Sequence, residues 1–467
     1  MQKLTEDYKR NTELIDGILR VEENFDVLKK SVKIGSDEVT LYYLDGFIKD
    51  AVMQKLMIYL VSLKETGDDA RSFTDAHIPY VETDVSENLD FMLQMVLSGS
   101  ALLVGSRFGA QGIVIDARSY PARDTAEPEG DKVMHGARDG FVETLIFNTA
   151  LIRRRIRDPE LTMCYLTVGK KSKTDVVLCY LHGTADDKYV AYLKDKLEHT
   201  ETDSLTLGHE SLAECLIKRR WYNPFPKIRT TERPDAAAAQ IYEGSVLILV
   251  DNSPEVMVLP TGIFDFMQET NDFYFPPLTG TYIRVVRYLV SFLTLFMTPL
   301  WYLMILYPQA VPGWLQFALP VEPGKLPILA QLLLVEFLID GLRMASLNTP
   351  NMLSNSLSVV GGLILGDFAV DIGWLIPEVI LYMAFVAIAN FTQRSYELGY
   401  AFKFLRIGLL LLTAAFGFWG FVGGVIGIFV LLVTNRTVNG GHSYLYPLIP
   451  FKGRALASLF FRLPKKD

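Results

Sequence analysis

FYFPPLTGTYIRVVRYLVSFLTLFMTPLWYLMILY, residues 273–307, is the stretch on which the chain changes character. Pro276, Pro277 and Gly280 break the preceding structure, and Arg284 and Arg287 are the last charges in it. The run 285–307 is otherwise apolar, and Trp301, Tyr302 and Tyr307 gather toward one end, as residues at a membrane–water boundary do. Its length suits a hydrocarbon core about 30 Å thick. Upstream, residues 1–283 carry 32 Lys/Arg and 45 Asp/Glu, a net charge of −13. Downstream, residues 284–467 carry only 13 and 8, a net charge of +5. The first part has the composition of an acidic soluble protein, and the second that of a membrane domain.

The whole chain has 467 residues, is 50% apolar with mean hydropathy +0.23, and carries a formal charge of −8. This argues against an entirely soluble enzyme, and the absence of a basic domain argues against a nucleic-acid partner. Cys164, Cys179 and Cys215 are odd in number with no C-x-x-C spacing, so neither a disulfide framework nor a zinc site is expected. The N-terminus MQKLTEDYKRNTELIDG has no apolar signal core. The acidic half is therefore expected in the cytoplasm, with the span near residue 285 as the insertion signal. Further candidate spans are 326–346, 353–373, 374–393 and 407–433. The last is Gly-rich and reads as one long helix or as a tight hairpin. Four to six spans result. The positive-inside rule places Arg284, Arg287, Arg394, Lys403, Arg406 and the basic tail on the cytoplasmic side, so an even span number fits.

The fold class expected is an α/β cytoplasmic N-terminal region of two subdomains (1–140 and 141–283) plus an α-helical polytopic membrane domain (284–467) with a short basic tail. Residues 1–35 read as a helical lead-in to the first subdomain. VTLYYLDGF (39–47) reads as a strand, 48–64 as an amphipathic helix, and 98–121 as a hairpin around Gly109 and Gly112. After a Pro/Gly/acid-rich loop at 121–136, a helix over 141–157 is stopped by Asp158-Pro159. Strands at 161–168 and 175–181, helices near 186–197 and 209–219, and a hairpin over 243–260 make the second unit. GSALLV (99–104) echoes GSVLILV (244–250), which indicates a similar strand–turn–strand unit in each subdomain.

No G-x-S-x-G, Walker A or H-E-x-x-H pattern occurs, and the six histidines fall on unrelated segments, so no enzyme, cofactor or metal is expected. Charges inside the apolar half carry more information. Glu336, Asp340 and Arg343 are spaced to share one stripe of a helix. Two readings stand: an acid-lined ion path, or an Asp340–Arg343 pair that packs helices together while Glu336 bonds a neighbouring span. Ser354, Ser356 and Ser358, with Asp367 and Asp371 on one face, make the Gly/Ser-rich segment 353–373 a pore candidate. The competing reading for the two aspartates is a plain surface carboxylate. Arg153, Arg154, Arg155 and Arg157 suit anionic headgroups, a neighbouring subunit, or a salt-bridged helix face. Arg138 and Asp139, between Gly136 and Gly140, suit a clamp between subdomains or subunits, with a ligand site as the competing reading.

EPEGDKVMHGARDGFVETLIFNTALIRRRIRDPEL (127–161) resembles the signature of the A subunits of GerA-type spore germinant receptors. Similar in the same order are VGKKSKTDV (168–176), NPFPKIRTTERPD (223–235), EGSVLILVDNSP (243–254), LRMASLNTP (342–350), PEVILYMAFVAIANFTQRSYELGYA (377–401) and YLYPLIPF (444–451). GFVE, LRMA…TP and PEVILY resemble in particular the stage V sporulation protein AF branch. The chain departs from the pattern at Met134-His135-Gly136, where the family has V-R-G, and at Arg394, where it has Pro. The resemblance implies a two-part cytoplasmic domain over an oligomeric membrane domain in the inner membrane of the endospore. It also implies an ion channel; the reading adopted is a subunit that releases monovalent cations, and the alternative is a non-conducting scaffold or signalling subunit of a receptor complex. Membrane lipid, further copies of the chain and other germination membrane proteins are the implied partners, with no nucleic acid.

Overall fold

The structure is a computed structural model, and it describes residues 3–67, 69–78, 80, 82–120, 136–217, 221–269, 271–321, 324–348, 366, 368–438 and 443–461. The chain forms two compact units: Met1–Lys218 with Ile228–Thr261, and Arg219–Lys227 with Gly262–Asp467.

The first unit contains one fold twice. Its first half runs α1 (Tyr8–Leu19), β1 (Val27–Ile34), β2 (Asp37–Leu44), α2 (Asp50–Ser62), α3 (Ala70–His77), β3 (Thr83–Ser86), α4 (Leu89–Leu97), β4 (Ala101–Gly105) and β5 (Gly112–Ile115). Its second half runs α5 (Leu145–Arg155), β6 (Leu161–Val168), β7 (Thr174–Leu181), α6 (Asp187–Glu198), α7 (His209–Leu216), β8 (Arg229–Thr231), α8 (Pro234–Tyr242), β9 (Val246–Val250) and β10 (Val256–Leu259). Element for element the order is the same. The antiparallel sheets are β1-β2-β4-β5-β3 and β6-β7-β9-β10-β8. Register agrees too: Val39 pairs with Gly105 and Leu41 with Leu103, as Val176 pairs with Val250 and Leu178 with Ile248.

Small polar devices repeat with the fold. In the first half the Asn11 amide accepts from Thr5 N–H (2.7 Å) and donates to Thr5 C=O (2.7 Å). In the second, Asn148 does the same to Val142 (2.8 and 2.5 Å). Both asparagines open an N-T-x-L-I run, 11–15 and 148–152. Each satisfies the chain entering a helix, where backbone groups lack intrahelical partners. Gly99 (φ +100°) and Gly244 (φ +92°) end α4 and α8 in the left-handed region, which glycine enters without steric cost. The echo in the sequence thus extends over both halves.

Each sheet is covered on both faces. In the first half α1 and α4 bury Ile15, Met92 and Val96 against Tyr42, Leu102 and Val104. On the other face α2 and α3 bury Leu60 and Phe73 against Val39, Leu41 and Leu103. The lead-in expected to be helical over 1–35 contains the edge strand β1. There Lys29, Lys30 and Lys33 are exposed while Val27, Val32 and Ile34 are buried, and lysines of this kind protect a sheet edge from further pairing.

The second unit is helical: α9 (Ile263–Met267), α10 (Asn271–Tyr274), α11 (Pro277–Leu306), α12 (Ile328–Asn348), α13 (Pro377–Phe391), α14 (Tyr396–Thr434) and α15 (Gly453–Phe460). Two segments, Pro277–Leu306 and Tyr396–Thr434, are long and apolar enough to cross a membrane. The second folds back on itself at Gly417 (φ 60°, ψ −137°). A Cβ on Gly420 would lie 2.0 Å from the Leu412 carbonyl oxygen, and one on Gly424 would lie 2.5 Å from Leu409 Cδ1. The arms are therefore antiparallel and in close contact, the arrangement that small residues four apart permit. Of the two sequence expectations for 407–433, this is the hairpin. Its tip lies at the end of α11, since Phe418 N–H faces Tyr307 Oη at 3.4 Å.

Candidate functional site

A group of the helical unit's charges meets between α12 and α14. Glu336, Asp340 and Arg343 lie on one stripe of α12, and Arg406, Lys403 and Tyr400 lie on the facing stripe of α14. The two stripes pair in rungs. Arg406 Nε donates to Glu336 Oε1 at 2.8 Å, and its Nη2 bonds the same oxygen. Lys403 pairs with Asp340 and lies 3.6 Å from Glu336 Oε2. The Arg343 guanidinium lies over Phe391 (5.4 Å), Tyr396 (4.7 Å) and Tyr400 (5.2 Å), a cage in which ring quadrupoles attract the cation.

Arg406 also reaches a third helix, donating from Nη1 to the Thr294 carbonyl of α11 at 2.8 Å. Neighbouring polar side chains extend this joint. Gln393 Nε2 donates to Ser291 Oγ at 2.7 Å, and Ser291 donates to Arg287 C=O at 2.8 Å. Gln331, fully buried, donates to Leu326 C=O (2.8 Å) and accepts from Ile376 N–H (2.9 Å), tying the start of α12 to that of α13. Glu336 is 7% exposed, Lys403 5% and Arg406 2%. A charge at such a depth is retained only with a partner, and here two acids face two bases. The two ion-paired rungs thus set two acids against two bases, and Arg343 adds a further cation held by the rings.

This arrangement revises two sequence readings. Asp340 pairs with Lys403, not with Arg343, which the aromatic cage holds. Lys403 and Arg406, counted above as cytoplasmic loop charges, lie inside the helical unit; helical spacing alone does not distinguish a buried base from a flanking one. Asp371 is exposed beside a short turn. Ser354, Ser356, Ser358 and Asp367 lie outside the described residues.

The arginine run of α5 divides among several surroundings. Arg153 is fully buried and bonds Asp26 through Nε (2.8 Å) and Nη2 (2.9 Å), with Nη1 donating to Leu161 C=O at 3.0 Å. It thereby locks the second half of the first unit onto the first half. Arg155 pairs with Asp139 at 2.5 Å, Arg154 lies 4.4 Å over the Tyr120 ring, and Arg157 and Arg138 are exposed. A further joint went unnoticed in the sequence: His209 Nδ1 lies 2.6 Å from Ser253 Oγ, and Nε2 lies 3.6 Å from both Glu210 and Glu255. Ser253 is buried and donates to Glu255 C=O at 3.2 Å, which makes it a loop staple. Burial pushes the Cys179 thiol up to about 12, leaving it un-ionised at neutral pH. Among the described residues, no group of three His, Cys, Asp or Glu is arranged to hold a metal ion.

Comparison with known proteins matches residues 17–467 to the family described as Bacillus/Clostridium GerA spore germination protein. The chain belongs to this family. It is 36% identical over 462 residues to stage V sporulation protein AF of Bacillus subtilis (strain 168), covering 98% of this chain and 92% of that one. It is 29% identical over 429 residues to the membrane protein YfkQ of the same organism, covering 91% and 83%. Among solved structures, the N-terminal domain of the A subunit of the Bacillus megaterium spore germinant receptor GerK3 is similar over 55% of this chain and 96% of its own. There the identity is 22% and the TM-score 0.39. The chain is thus a spore germination protein of the GerA type, with the residues of the α12/α14 ladder inside the matched region.

Proposed function

We propose that this GerA-family chain is an oligomeric, multi-pass subunit of the spore inner membrane that passes monovalent cations during germination, with the α12/α14 ladder as its closed latch. The observation that carries the reading is the burial of Glu336 and Asp340 against Arg406 and Lys403 within a helical unit. In water an ion pair of this kind is worth little, but inside a bilayer each unpaired charge costs several kcal/mol. Parting the stripes would hydrate two acids on one helix face, a lining that favours cations. α11, α12, α13 and the two arms of α14 are the proposed crossings, with the acidic unit in the cytoplasm. The name of the relative YfkQ, a membrane protein, supports this placement. Lipid, further copies of the chain and other germination membrane proteins are the proposed partners.

Potassium flux from liposomes holding the purified chain tests the proposal. Glu336→Gln leaves Arg406 without its counter-charge and is expected to raise basal flux several-fold. Glu336→Gln with Arg406→Gln is expected to restore it toward the parent. Parent and variants that are all silent, in a preparation that is monomeric by mass, would refute the channel. A second reading, a non-conducting scaffold that relays a signal to other membrane proteins, draws support from the two closed ion-paired rungs of the ladder. It predicts normal assembly with no flux from any variant.

A further inference from the structure

The end of the helical unit marked by Tyr307 has an unusual surface. From Tyr288 to Val321 the sequence has no Asp, Glu, Lys or Arg, and neither has 407–435. These runs include not only helix but also the connection after α11, two 3-10 turns at Pro308–Ala310 and Gly313–Ala318, and the hairpin tip of α14. A connection that faces water normally carries charge. This one presents Trp314 (74% exposed) and Phe317 (82%), and the tip presents Phe416 (69%), Phe418 (49%) and Trp419 (77%). The turn carrying Trp314 is held down by its own carbonyl: Ala318 C=O accepts from Trp301 Nε1 at 2.8 Å and from Tyr382 Oη at 3.4 Å. The aromatic side chains therefore stand out from a fastened backbone.

Depth agrees with chemistry. Arg287, ion-paired with Asp272 and Glu269, marks the charged end of α11. From there to Tyr307 is a rise of about 30 Å at 1.5 Å per residue, the thickness of a hydrocarbon core. Tyr307 and the hairpin tip beside it thus reach the level of the opposite headgroups, where Trp and Tyr are enriched.

We infer that this end is a lipid-facing collar: the 3-10 turns and the Gly417 tip lie in the headgroup layer, with Trp314, Phe317 and Trp419 in the lipid boundary. The occupant is phospholipid, because exposed ring side chains at this depth, beside the Glu378 carboxylate that accepts from Val321 N–H at 3.4 Å, match the acyl–headgroup boundary. The inference rests on the membrane-spanning reading above.

Tryptophan fluorescence of the full chain in phosphatidylcholine nanodiscs tests it, using lipids brominated at carbons 6,7 or 11,12 and acrylamide as the aqueous quencher. Trp301 is kept as a constant background because it holds Ala318, and the remaining tryptophans are changed to Phe except for one reporter. With Trp314 as reporter, the 6,7-bromolipid is expected to quench at least twofold more than the 11,12-bromolipid. Acrylamide is expected to reach it several-fold less than it reaches Trp221, which is 97% exposed. Acrylamide quenching equal to that of Trp221 would put the turn in water and overturn the collar. Quenching by neither lipid nor acrylamide would mean a protein covers it, and would overturn it equally. Phe296→Trp, near the midpoint between Arg287 and Tyr307, separates the two readings. Its quenching by 11,12-bromolipid upholds the span whatever Trp314 does, and its absence removes both span and collar.

Discussion

Arg153 and Arg406 are both buried arginines held bidentately or nearly so, one in each unit. Arg153 closes the joint between the duplicated halves with Asp26, and removing one partner leaves an uncompensated buried charge. Arg153→Ala is expected to destabilise the first unit by about 3–5 kcal/mol, whereas replacing both Arg153 and Asp26 by apolar residues is expected to recover most of that loss. Chemical denaturation of the purified chain, followed by circular dichroism, measures both. The sequence showed the arginine run of α5 but not its division. Arg153, Arg154 and Arg155 are consecutive, and successive residues on a helix point in directions about 100° apart. One is therefore buried, one rests on a ring and one meets Asp139. Similarly, Glu336 was legible as a charge needing a partner, but that partner is 70 residues away on a helix whose bases resemble membrane-flanking charges.

The hairpin α14 shows what a Gly-rich apolar run leaves undecided. Its length permits one tilted crossing, and its composition permits two arms; only the conformation of Gly417 and the approach of Gly420 to Leu412 decide. The arms are about 31 and 25 Å long at 1.5 Å per residue. The four glycines after the turn are not equivalent. A Cβ on Gly420 or Gly424 would meet the other arm, whereas one on Gly423 or Gly427 would meet nothing within 4 Å. Gly420→Leu is therefore expected to abolish a monodisperse, folded chain in detergent. Gly423→Leu and Gly427→Leu are expected to keep its thermal midpoint within a few degrees. Size-exclusion profiles and thermal scans check this, and equal tolerance of all three would refute the close pairing of the arms.

For the molecule as a whole, an α/β region ahead of an apolar helical one was legible from charge and hydropathy. The duplication was legible only as one echo. Its edge strands β3 and β8 have four and three residues, too few for a periodic signal, and apart from the N-T-x-L-I runs of α1 and α5 its helices share a place but little sequence. The repeated topology predicts matched behaviour in hydrogen exchange. The interior strands β4 and β9 are expected to exchange most slowly in both halves, and the short edges β3 and β8 first. Mass spectrometry of exchanged peptides checks this, and a difference of several orders of magnitude between β4 and β9 would refute equivalent packing.

The ladder also bears on how such a chain is made. Asp340 and Glu336 leave the ribosome first, and their bases follow 63 and 70 residues later. On the membrane-spanning reading, α12 must wait with its acids uncompensated, at about 2.5–3.5 kcal/mol for an aspartate near the bilayer centre. Seating of α12 is then completed only when the first arm of α14 arrives. The two helices form a single insertion step separated in time, and a chain truncated between them would leave α12 stranded at the membrane surface.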